Sequence, residues 1–80
     1  MDVNLNEVIN LANEMYLWHQ GAVNKRRWGQ CVFNAAYEMY PDLADALRGS
    51  EVDCFYLDER ADNFLSALRA EGLDEKVLVR

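Results

Sequence analysis

A chain of 80 residues has room for one core only, because at this length folding buries roughly 60% of the surface that the unfolded chain exposes. The 51% hydrophobic content, with nine aromatic residues, excludes an intrinsically disordered polymer. No apolar run approaches the roughly 20 residues that span a bilayer, and the net charge of −6 disfavours general binding to a phosphate backbone.

The charge is unevenly placed. Asp2, Glu7 and Glu14 balance Lys25, Arg26 and Arg27 in residues 1–37, whereas eleven acids face Arg48, Arg60 and Arg69 in residues 38–75. An acidic half of this kind serves solubility or attracts a basic partner. Cys31 and Cys54 are too few for a disulfide scaffold, and the N-terminus does not read as a signal peptide, so the expected setting is intracellular with reduced thiols. A small core also leaves room for a dimer interface or a bound partner to contribute to stability.

Asn4 followed by Glu7 has the capping-box spacing and predicts a helix start. Leu5, Val8, Ile9, Ala12, Met15, Tyr16 and His19 then recur at helical spacing, giving an amphipathic helix over 4–20 that ends near Gly21. Leu11 and Trp18 lie beside this stripe and extend the apolar face toward a second neighbour.

Asn24 is a candidate cap for a second helix over 26–40, apolar on two adjoining stripes and therefore the central element. Trp28, Cys31, Val32, Ala35 and Met39 form one stripe, and Phe33, Ala36, Tyr37 and Tyr40 the other. Gly29 implies either close approach of another backbone or a late helix start. Pro41 suits the first turn of a short helix over 41–48, with Leu43, Ala46 and Leu47 on its apolar face, closed by Arg48 and Gly49. Residues 50–57 read as an ordered loop in preference to a short strand. Asp58 caps a last helix over 58–71, with Ala61, Phe64, Leu65, Leu68 and Ala67 inward and Gly72 as its stop. The remaining tail, 73–80, either docks on the core or frays. The expectation is an all-α domain, a compact bundle of about four helices with short connections.

Catalytic patterns are absent from this reading. His19 is the single histidine, and with two separated cysteines it offers neither a nucleophile pair at fixed spacing nor the ligands of a closed zinc site. Asp53, Asp58, Glu59 and Asp62 crowd one region without the alternation of a calcium loop, and the last three suit a helix N-terminus. No enzyme activity, metal or cofactor is expected.

Lys25, Arg26, Arg27 and Trp28 form the sharpest local feature. Three cations at a helix start oppose its dipole, so another interaction should compensate: a phosphate, an acidic partner or the protein's own acidic half. Trp28 could anchor a protein interface, stack on a nucleic-acid base or belong to the core, and Lys25, Arg26, Arg27 and Trp28 together are the candidate partner-binding residues. Pro41 and Gly49 read as helix punctuation, Arg48 as a partner for Asp53 or Asp58 across the loop, and Phe55 and Tyr56 as side chains pinning the loop to the core.

The string Arg27-Trp28-Gly29-Gln30, Phe33-Asn34, Tyr40-Pro41-Asp42-Leu43-Ala44, Arg48-Gly49-Ser50 and Asp53-Cys54-Phe55-Tyr56, with Asp58 and Phe64, resembles small helical proteins encoded by tailed bacteriophages and prophages. The resemblance spans about residues 26–68 and carries no assigned activity. It implies a protein acting in the cytoplasm of a bacterial host cell. Together with the absence of a catalytic pattern, it makes non-catalytic binding to a host or phage protein the expected function, with an oligomeric assembly component, then nucleic-acid binding, as alternatives.

Overall fold

The computed structural model of the chain describes residues 2–19 and 27–78, and the side chains of 2–18 and 27–73. The domain is all-α: α1 Leu5–His19, α2 Trp28–Met39, α3 Pro41–Leu47, a single 3₁₀ turn at Asp58–Arg60, and α4 Ala61–Leu78.

Asn4 caps α1 as its spacing requires, its Oδ1 accepting from the Glu7 N–H at 3.2 Å. The reciprocal half of the capping box is filled differently. The Asn4 N–H donates to the Tyr40 hydroxyl at 3.0 Å, which ties the start of α1 to the end of α2. Val8 and Ala12 are fully buried, while Leu5, Ile9, Leu11, Met15 and Tyr16 pack around them. Trp18 departs from expectation. Its side chain is 83% exposed, so the apolar face does not widen at that end of the helix.

α2 is the central element, burying Cys31, Val32, Phe33, Ala35 and Ala36 between α1, α3 and α4. It begins at Trp28, two residues later than its apolar pattern suggests, with Arg27 as an extended N-cap residue. Asn24, Lys25 and Arg26 lie outside the described residues.

Pro41 opens α3, which buries Leu43, Ala44 and Leu47. Ala44 takes the inward place expected of Ala46, which is exposed. Gly49 follows the helix with φ +75°, the left-handed conformation in which a side chain is strained.

Phe64 and Leu68 of α4 are fully buried, with Ala61 and Leu65 nearly so. The helix does not stop at Gly72 but runs to Leu78. A glycine inside a helix costs about 1 kcal/mol relative to alanine and presents no steric barrier. Gly72 is itself buried, and the residues after it include the helix formers Leu73, Glu75 and Lys76. Residues 73–78 are therefore part of α4, and Val79 and Arg80 lie outside the described residues.

Candidate functional site

Residues 48–57 join α3 to the 3₁₀ turn as an ordered loop built on local hydrogen bonds. The Asp53 carboxylate accepts from Gly49 N–H at 2.6 Å and Phe55 N–H at 2.9 Å, a short acidic side chain closing a turn on its own backbone. The Ser50 hydroxyl donates to the Leu47 carbonyl at 2.7 Å and accepts from Val52 N–H at 3.3 Å. Arg48 therefore bonds neither Asp53 nor Asp58. It pairs with Asp45 at 3.3 Å, and its guanidinium lies over the rings of Phe33 and Tyr37, at 5.7 and 5.3 Å from their centroids.

The loop then crosses the N-terminus of α2. Asp58 sits there, its Oδ1 accepting from Gly29 N–H at 3.0 Å. Expected to cap its own helix, Asp58 instead caps α2 from outside, where a carboxylate meets both an orphan N–H and the positive end of the dipole. Arg27 reinforces the crossing by donating from Nη2 to the Phe55 carbonyl at 2.7 Å, with its Nε 3.7 Å from Asp58 Oδ1. Cys54 Sγ donates to the Gly29 carbonyl at 3.2 Å. Burial, supplemented by the neighbouring Asp53 charge, pushes the Cys54 thiol up to about 12, so it stays protonated and unreactive at neutral pH.

Both readings of Gly29 hold together: it is the second residue of a late-starting helix, and it permits a close backbone approach. A Cβ there would collide with the Cys54 carbonyl oxygen and stand 3.0 Å from Asp58 Cα.

The cluster at residues 25–28 is thereby divided. Lys25 and Arg26 lie outside the described residues, Arg27 is committed to the protein's own acidic loop, and Trp28 is half-buried in a T-shaped contact with Tyr16 at 5.8 Å.

What the loop presents to solvent is a different surface. Phe33, Asn34, Tyr37, Arg48, Asp53, Phe55 and Tyr56 line a groove of about 450 Å³. Phe55 pins the loop to the core by an edge contact with Phe33 at 5.8 Å. Tyr56 does not share that role: it stacks edge-on against Phe55 at 4.9 Å but is 73% exposed. Tyr37, at 42% exposure, stands beside Phe33 at 6.5 Å. Sequence reasoning singled out Phe55 and Tyr56 for the core and left Tyr37 and Asn34 out of any site. Only the return of the loop onto α2 brings these residues together.

A larger hollow of about 710 Å³ lies between residues 2–6 and Arg69 and Leu73 of α4, with no aromatic side chain in its wall. Among the described residues no three His, Cys, Asp or Glu side chains converge as metal ligands, and no helix is long and apolar enough to cross a membrane. No protein-family model, curated protein or solved structure matches the chain.

Proposed function

We propose that this is an accessory protein of a tailed bacteriophage or prophage, acting in the host cytoplasm by binding a host or phage protein, without chemistry of its own. The aromatic groove between α2 and the loop is the working face. Supporting this is one observation above the others: Arg48 and Tyr56 of the hydrogen-bonded loop stand exposed beside Tyr37 of α2, and tyrosine and arginine are enriched among the residues that dominate the energetics of protein interfaces. Rigid aromatic side chains also lose little conformational entropy on binding. The test is affinity capture of the tagged protein from bacterial cells beside a Tyr56→Ser variant. A protein enriched by the wild type and lost from the variant supports the reading. Equal enrichment by both removes Tyr56 from the working face.

A second reading, an oligomeric assembly component, draws on Leu17 and Trp18, which are 72% and 83% exposed near the end of α1. A monomeric mass at tens of micromolar, unchanged by Trp18→Ser, would eliminate it.

A further inference from the structure

Resting on the protein-binding reading, we infer that the groove receives a cationic segment of the partner, in which one apolar or aromatic anchor is flanked by lysine or arginine. Among the described residues, Arg48, which lines the groove, pairs with Asp45, and Arg27, bonded to the Phe55 carbonyl, pairs with Asp58. Of the acids, Asp53 lines the groove with its carboxylate taken up by the Gly49 and Phe55 N–H groups, while Glu38 and Glu51 stand exposed on the elements that form its walls. Glu38 is one helical turn beyond Asn34, which lines the groove, and so shares its face of α2. Glu51 is exposed on the loop that forms the opposite wall. Neither has an ion-pair partner among the described residues. The lining of the groove is largely aromatic, with Phe33, Tyr37, Phe55 and Tyr56, and aromatic faces attract both apolar side chains and cations.

The surrounding field points the same way. Residues 38–75 hold eleven acids against three arginines and the whole chain carries a net charge of −6, a field that attracts a basic segment and repels an acidic one. An acidic peptide reaching for Arg48 would have to displace Asp45 and cross that field.

The test is a titration of the isotopically labelled full chain, followed by amide NMR shifts, with short synthetic peptides carrying one tryptophan between lysines. Controls replace the lysines by glutamines or glutamates, or the tryptophan by alanine. The lysine peptide is expected to shift residues of the groove saturably. Binding should weaken about tenfold with the glutamine peptide, with the alanine peptide or in Tyr56→Ser, and about threefold to tenfold in a Glu38→Gln, Glu51→Gln double variant, whose side chains carry no structural pairing. Equal or tighter binding of the glutamate peptide, or no shift at the groove with the lysine peptide, would overturn the inference. Should cellular capture still depend on Tyr56 in that event, the cationic assignment fails while the protein-binding reading stands.

Discussion

Replacing Gly29 by alanine separates two opposed effects. Helix propensity alone favours Gly29→Ala by up to about 1 kcal/mol. Against that gain, the new methyl group must enter space held by the Cys54 carbonyl oxygen and by Asp58 Cα at 3.0 Å. Both obstacles are backbone, so relief requires the loop to move. Overpacking of this kind costs about 1–3 kcal/mol. Moving the loop also loosens the Asp58 cap on Gly29 N–H, worth about 1 kcal/mol, together with the Cys54 bond to the Gly29 carbonyl. The net expectation is a destabilisation of about 2 kcal/mol, or a fall in Tm of about 10 °C for a domain of this size. Urea and thermal unfolding followed by circular dichroism measure it directly. A variant as stable as the wild type, or more stable, would refute the close approach of the loop to α2.

Three further outcomes follow from the same geometry. Asp58→Ala should lose about 1 kcal/mol in urea unfolding, mostly through the cap, because its ion pair with Arg27 is half-exposed and contributes little. Gly49→Ala should cost about 1 kcal/mol or slightly more, since its φ of +75° strains a side chain, although the surrounding space is open. Cys54 supplies a pH test. Its thiol is raised from 9.0 to about 12 by burial, so the folded state holds its proton more tightly than the unfolded state. Its contribution is fully present below pH 9 and declines as pH rises toward 12. Stability should therefore fall across this window, and less steeply in Cys54→Ala. Below pH 8 a thiol reagent should modify Cys54 only as fast as the protein opens.

Much of the helical framework is legible in residue order, because its signals are local. Asn4 and Glu7 mark a start, Pro41 and Gly49 punctuate a short helix, and the two apolar stripes of α2 announce a central element. Misreadings arise where one local signal has two structural meanings. Gly72 suits a helix terminus or a helix interior, and only its buried position in α4 distinguishes them. Asp58 is a good capping residue in either case, but the helix it caps is α2, distant in sequence. Trp18 and Tyr56 are large and aromatic next to apolar neighbours, which favours burial without fixing the direction of the side chain. Arg48 had acids within reach on both sides, and its choice of Asp45 follows from Asp53 being occupied by the turn. The groove itself was the least legible feature, since it joins one face of α2 to a loop whose path depends on Gly29.

The central claim is that this groove meets another protein. Photocrosslinking in bacterial cells tests it most directly, with benzoylphenylalanine placed at Tyr56 or, as a control, at Asn10, exposed on α1. The account predicts a discrete heavier adduct from position 56 that is absent from position 10. No adduct at position 56, or the same adduct from both positions, would contradict it.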